Sequence, residues 1–130
     1  MIVSLQFWFE KVNSAKLQSK ANALKEEREY KRISDFYPFY KSQHQGTVTR
    51  VLHFIGTGLV IVFLVLFIIT FEFKYLAYAP LAGYGFAWVG HFFFEKNKPA
   101  TFRHPVYSLA CDFWLFWDLL RGRERFFVPK

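Results

Sequence analysis

Four histidines and two carboxylates are the residues of this sequence best suited to bind a metal ion. They are His44, His53, His91, His104, Glu95 and Asp112. Three or four neutral imidazoles, or two imidazoles with one carboxylate, suit non-haem Fe(II) with open positions for oxygen and substrate; three histidines also suit zinc. No HExxH motif accompanies them. Residue type alone therefore leaves open a metal site, structural histidines that hydrogen-bond inside a helical bundle, or a haem held by His53 and His91.

Two long stretches without charged residues predict the elements that carry these side chains. Residues 51–70 comprise 20 residues without Lys, Arg, Asp or Glu, which is the length needed to cross a hydrocarbon core of about 30 Å. Residues 75–94 form a second such stretch, and only residues 71–74 separate the two. Two crossings joined so closely run antiparallel. The sequence therefore predicts an all-α membrane protein built on a transmembrane helical hairpin.

A third apolar segment, residues 105–120, is predicted to be helical without crossing the membrane. It would form a helix about 24 Å long, which is short for a span. It also contains Asp112 and Asp118. These features favour a re-entrant or interfacial helix over a third full span.

The remaining segments complete a predicted three-part organisation. Residues 1–35 form an N-terminal polar or amphipathic helical extension, and Pro38 predicts that its helix ends near Ser34–Asp35. Residues 36–120 form the membrane-embedded domain, and residues 121–130 form a basic cytoplasmic tail.

The charge distribution predicts the side of the membrane that each segment occupies. The net charge is +7, and residues 1–50 hold nine Lys and Arg against five Asp and Glu. The loop 95–104 is also basic, so the positive-inside rule places it and the N-terminus in the cytoplasm. A bacterial plasma membrane is favoured, with the endoplasmic reticulum as the eukaryotic alternative. Because the basic residues thereby have a topological role, the composition argues against nucleic-acid binding, and a single cysteine excludes an internal disulfide framework.

The predicted topology brings the histidines to one membrane face. His53 lies about 7–8 Å into the first helix and His91 about 4–5 Å from the same face on the second, at 1.5 Å per residue. Ala79, Gly83, Ala87 and His91 recur at intervals of four residues. Because small residues let membrane helices approach closely, this stripe is predicted to face the first helix. The polar side chains therefore converge at the cytoplasmic leaflet.

Two blocks of the sequence resemble a known family. They are FYPFYKSQHQGTVTRVLHFIGT at 36–57 and PLAGYGFAWVGHFFFEKNKPATFRHPVYSLACDF at 80–113. Both resemble a family of small multi-pass membrane proteins, long catalogued as a domain of unknown function, that includes the fungal endoplasmic-reticulum 2-hydroxy fatty acid dioxygenase of phytosphingosine breakdown. The resemblance covers residues 36–120, and GHFFFEKNKPA at 90–100 is its most specific part. It implies an Fe(II)-dependent α-oxidation that uses O₂ and shortens a 2-hydroxy fatty acid by one carbon.

The resemblance also implies roles for individual residues. The family's histidine pattern falls on His44, His53 and His91, which are thereby expected to be the metal ligands, with His104 and Asp112 as further candidates. Glu95 lies in the matched block and is expected to be a catalytic residue, as a ligand or as a partner of one. The cations expected to attract the substrate carboxylate are Lys96, Lys98 and Arg103.

Overall fold

The computed structural model describes residues 1–129, apart from the side chains of residues 23 and 26–29. These residues form helices and connecting segments with no β-strand, which confirms the predicted all-helical class. The helices are α1 (Ile2–Glu29), α2 (Ile33–Ser42), α3 (Thr47–Thr70), α4 (Lys74–Val89) and α5 (Pro105–Leu120). A π-helical turn, Gly90–Glu95, continues α4, and a 3₁₀ turn, Ala100–Phe102, precedes α5. The chain forms two compact units, residues 1–35 and 36–130.

The first unit contains α1. The apolar residues at its beginning and the polar residues that follow belong to one continuous helix of 28 residues. Ile2, Phe7 and Trp8 are exposed. The apolar N-terminal end of this helix therefore leaves large side chains uncovered.

The position of Pro38 differs from the sequence prediction. It was predicted to end a helix near Ser34–Asp35, and this prediction is wrong because Pro38 lies inside α2. A proline within a helix costs about 3 kcal/mol, for a lost hydrogen bond and a steric clash. Phe36 and Tyr40, on the same helix, are buried almost completely, and burying a large apolar side chain contributes roughly 1.5–3 kcal/mol. Tertiary packing thus outweighs the local preference.

Helices α3 and α4 pack against each other as an antiparallel pair. The chain reverses at Phe71, whose backbone is left-handed and whose N–H donates to the Phe67 carbonyl. Near the far end of the pair, a Cβ on Gly56 would lie 2.9 Å from Cβ of Phe86. Gly56 therefore permits the close helix approach that the small residues of this region predict.

One helix of the described residues is long and apolar enough to cross a membrane. It is α3, with 24 residues, and 17% of its most apolar window is buried inside the protein. The core helix of a soluble protein would be mostly buried, whereas Val62, Ile68 and Ile69 are exposed. The predicted second crossing at 75–94 stays a prediction, since α4 itself has 16 residues.

The C-terminal segment packs against the junction of α2 and α3 through Glu124. Its carboxylate accepts hydrogen bonds from Lys41 Nζ at 2.7 Å and from Arg50 Nη1 at 3.2 Å. Arg50 is buried and also donates to the carbonyls of His44 and Arg125, at 2.8 Å and 2.7 Å. Partial burial raises the pKa of Glu124, but the bonds from Lys41 and Arg50 outweigh it and hold this pKa below its usual value. The segment is thereby tied to the backbone of His44.

Replacing Glu124 with glutamine is expected to lower the free energy of unfolding by about 1–2 kcal/mol at pH 7, because the acceptor loses its negative charge and one of its two oxygens becomes an NH₂ group that cannot accept. Since the pKa is lowered in the folded state, this stabilisation is complete above the ordinary glutamate pKa of about 4.3. It disappears as the pH falls through the lower folded-state pKa. Thermal unfolding in mild detergent at decreasing pH measures both effects. Glu72→Gln is the control, because the ion pair of Glu72 with Lys74 is half-exposed and should contribute little. If the difference in thermal stability between wild type and Glu124→Gln does not change with pH, the stabilisation does not come from the ionised Glu124 carboxylate.

Candidate metal centre

Three histidines from separate elements meet inside the second unit. His44 follows α2, His53 lies on α3 and His91 is the second residue of the π-helical turn. They are 1%, 6% and 2% exposed. One nitrogen of each lies within 4.8 Å of the others, and the described residues contain no other group of this kind. The rings meet edge to face, with centroids 4.3–5.1 Å apart.

Hydrogen bonds orient two of these rings through Nδ1. His44 Nδ1 lies 2.6 Å from the backbone oxygen of Tyr40, and His91 Nδ1 lies 2.7 Å from Oδ1 of Asn97. Asn97 is itself held, because its Nδ2 donates to the backbone oxygen of Gln43 at 3.1 Å. Both partners are acceptors, so each Nδ1 carries the proton. Nε2 of His44 and of His91 is therefore left with a free lone pair.

Asp112 orients the third ring. Its Oδ1 lies 3.2 Å from Nδ1 of His53 and also accepts a hydrogen bond from the hydroxyl of Tyr40. A carboxylate on one nitrogen of a histidine fixes the tautomer and strengthens the other nitrogen as a ligand. Asp112 thus contacts the side of His53 that faces away from His44.

The facing nitrogens form a donor set for a cation. Nε2 of His44 and Nε2 of His53 are 3.1 Å apart, and both carry lone pairs in the tautomers assigned above. Burial first, and then the proximity of His53 and His91, hold the pKa of His44 well below its usual value. Neutral imidazoles are the form that binds metals. Three such nitrogens from one side leave coordination positions open, as a catalytic site requires.

The other proposed site residues lie around this cluster. Glu95 accepts a hydrogen bond from the backbone N–H of Gly46, which lies two residues after His44. Glu95 is not one of the three clustered residues. The ring of His104 packs against Phe36 with centroids 5.2 Å apart. The three cations Lys96, Lys98 and Arg103 are exposed.

Tyr40 and Asn97 were not predicted from the sequence. Tyr40 lies in the last turn of α2, where carbonyls lack their usual helical N–H partner, and its carbonyl accepts from the side chain of His44 instead. Asn97 reaches His91 because the π-helical turn ends in a left-handed residue, Lys96, and Asn97 N–H returns to the His91 carbonyl at 3.0 Å. The block at 90–100 contains Asn97, but nothing in its spacing indicates this turn.

A cavity of about 260 Å³ opens from the histidines along α3 and α4. The three histidines line its polar end together with Tyr40, Ser108 and Asp112. Its other end is lined by Val60, Leu64, Leu76 and Ala79. From His53 to Leu64 along α3 the cavity extends about 16 Å, at 1.5 Å per residue.

The small residues of the predicted stripe, Ala79, Gly83 and Ala87, line it, and a Cβ on Gly83 would meet Val60 of α3 at 2.9 Å. The cavity is shaped for a ligand with a polar head and an apolar tail.

Comparison with known proteins gives a match to a family model. The family model described as 2-hydroxy-palmitic acid dioxygenase Mpo1-like matches residues 30–124. No curated protein and no solved structure matches the chain. The matched residues include the three clustered histidines, Asp112 and the whole lining of the cavity.

Proposed function

The chain belongs to the Mpo1-like family, and from that premise we propose that it is a membrane-embedded Fe(II)-dependent dioxygenase that shortens 2-hydroxy fatty acids by one carbon. Family membership relates it to 2-hydroxy fatty acid dioxygenases.

The observation that carries the proposal is the close approach of the three histidines, of which one nitrogen each lies within 4.8 Å of the others. His44, His53 and His91 each direct Nδ1 to an oxygen acceptor, and this leaves buried lone pairs facing one another. Two such nitrogens 3.1 Å apart repel unless a proton or a metal cation lies between them. Three imidazoles with open positions suit Fe(II) that also accepts oxygen and substrate.

The cavity supports an acyl substrate. An extended chain advances about 1.3 Å per carbon, given C–C bonds of about 1.5 Å, so the apolar part of the cavity takes a long chain. We place the carboxylate and the 2-hydroxyl beside the histidines and the tail toward Leu64 and Leu76. Bound Fe(II) would supply the activation of O₂ there. The atoms balance with one O₂ per acid, because carbon 1 leaves as carbon dioxide and one water forms.

The exposed apolar surface of α3 supports a location in the bilayer, where lipid covers side chains that the protein leaves exposed. We propose that α4 crosses beside α3 as the second arm of a hairpin, with the N-terminus in the cytoplasm. Residues 105–120 then lie at the interface or re-enter the bilayer. The acyl tail reaches the cavity from the lipid while the head stays near the aqueous boundary.

Residues around the cluster have separate proposed roles. Glu95 acts as a positioning residue, because its carboxylate holds Gly46 beside His44. Exposed cations attract the anionic substrate through long-range electrostatics; these are Lys96, Lys98 and Arg103.

Oxygen uptake with product analysis tests this proposal. Protein purified in mild detergent and loaded with Fe(II) should consume O₂ with 2-hydroxyhexadecanoic acid and form the 15-carbon acid. Hexadecanoic acid, which lacks the 2-hydroxyl, is the control substrate. Absence of uptake in a protein that holds stoichiometric iron would contradict the dioxygenase assignment.

Replacing Asp112 with asparagine is expected to weaken metal affinity about 10–100-fold, because the negative charge that strengthens His53 as a ligand is lost. Metal titration of the purified variant measures the affinity. Asp118→Asn is a matched control on the same helix: Asp118 is buried and accepts a hydrogen bond from the Tyr37 hydroxyl at 3.0 Å but does not contact the histidines. Equal metal loss in both variants would assign the effect to folding.

The haem alternative is disfavoured by the spacing of the rings. A macrocycle between His53 and His91 would need ring centroids about 6 Å apart, with metal–nitrogen bonds of about 2 Å on each side. The observed separation is 5.1 Å. A non-catalytic role for the histidines predicts no stoichiometric metal, so the metal measurement in the Discussion distinguishes it from the proposed enzyme.

A further inference from the structure

Ser108 carries a buried hydroxyl that is not hydrogen-bonded. Its Oγ is the one buried side-chain polar atom without a partner among the residues that the structure describes. The residue is 2% exposed and lies on α5, one helical turn before Asp112. A serine inside a helix often bonds back to the carbonyl four residues earlier, but this hydroxyl does not. Because a buried unsatisfied hydroxyl is unfavourable, its natural partner comes from outside the chain.

The position of Ser108 indicates where such a partner binds. Ser108 lines the polar end of the cavity together with His53 and His91. The neighbouring carboxylate of Asp112 is already engaged by Tyr40 and His53. Ser108 therefore carries an unpaired donor within the lining of the cavity, next to a carboxylate that is already hydrogen-bonded.

We propose that Ser108 binds the polar head of the substrate by donating a hydrogen bond to an oxygen of its carboxylate or its 2-hydroxyl. The inference rests on the proposed function, because it takes the ligand to be a 2-hydroxy fatty acid. Ser108 thereby selects ligands whose polar end enters beside the histidines. Neither the histidine pattern nor the basic loop 95–104 assigns this role.

Ligand-free stability gives the first test. Ser108→Ala removes a hydroxyl that stabilises nothing in the free protein, so the midpoint of thermal unfolding in mild detergent should stay the same or rise. Removal of a hydroxyl that stabilises the fold would instead lower this midpoint. A fall in the midpoint of the ligand-free variant would overturn the proposal.

Ligand affinity gives the second test. Binding of 2-hydroxyhexadecanoic acid, measured by the concentration dependence of the thermal shift of the full chain, should be about tenfold weaker in Ser108→Ala, which is 1.4 kcal/mol. Ser108→Thr keeps a hydroxyl and should retain most of the affinity. Hexadecanoic acid identifies the acceptor. A loss with both acids assigns the bond to the carboxylate, and a loss with the 2-hydroxy acid alone assigns it to the 2-hydroxyl.

The outcomes separate this inference from the proposed function. Equal affinity of Ser108→Ala and wild type for the 2-hydroxy acid would overturn the role of Ser108, even if wild type is an active dioxygenase. Serine-dependent binding without oxygen uptake would uphold Ser108 and overturn the reaction. Absence of binding to wild type would overturn both.

Discussion

Replacing His91 with alanine is expected to remove nearly all of the bound iron and with it oxygen uptake. His91 supplies one of three buried nitrogens, and its Nδ1 is already committed to Asn97. Two remaining imidazoles without a carboxylate do not make the donor set that non-haem Fe(II) prefers. Iron content by mass spectrometry, on protein purified without oxygen and reconstituted with Fe(II), measures the loss.

His104→Ala is the matched control for this experiment. Its ring packs against Phe36 and Tyr107 and is not one of the three clustered imidazoles, so this variant should keep its iron. Equal iron in wild type and His91→Ala would refute the metal centre. Absence of iron from wild type after reconstitution would favour the structural interpretation of the histidines.

Replacing Ala79 with phenylalanine is expected to shorten the acyl chain that the protein accepts. Ala79 is buried and lines the cavity, 12 residues before His91, which is about 18 Å along the helix. A 16-carbon chain extends about 19 Å at bond lengths of about 1.5 Å, so its end reaches this residue. Oxygen uptake with 2-hydroxyhexadecanoic acid should fall about 100-fold, as for other misplaced substrates. Uptake with 2-hydroxyoctanoic acid should persist.

Ala77→Phe controls for the added ring. Ala77 lies on the same helix two residues away and is exposed, so the same substitution there leaves the cavity open. Iron content should be unchanged in both variants because neither position contacts the histidines. Similar uptake profiles for the two variants would contradict the placement of the acyl chain in this cavity.

The candidate site was predictable to the extent that it follows from helix topology. His53 and His91 lie on helices joined by a short turn, so antiparallel packing brings them to the same end whatever the details of the contacts. The segment that carries His44 leads directly into the first of these helices. The convergence of these three imidazoles could therefore be inferred from spacing alone, and the structure has them in contact.

The orientation of the rings was not predictable, because it depends on partners that the fold brings together. Tyr40 and Asp112 are 72 residues apart, and no local pattern links them. Asn97 meets His91 through a π-helical turn, whose hydrogen bonding differs from the α-helix assumed for residues 75–94. Glu95 likewise accepts a hydrogen bond from Gly46 instead of joining the cluster. The direction of its side chain depends on the π-helical turn, which the sequence did not predict.

What the sequence by itself determined is the positions of α3, α4 and α5. Hydrophobic runs and turn residues act over a few neighbouring positions, and on this basis residues 105–120 were predicted as the segment that α5 occupies. Tertiary structure decided the rest. Burial of Phe36 and Tyr40 placed Pro38 inside a helix, and buried Arg50 tied Glu124 to the segment that holds His44. The cavity beside the histidines exists only once α3, α4 and α5 pack, because its lining comes from all three.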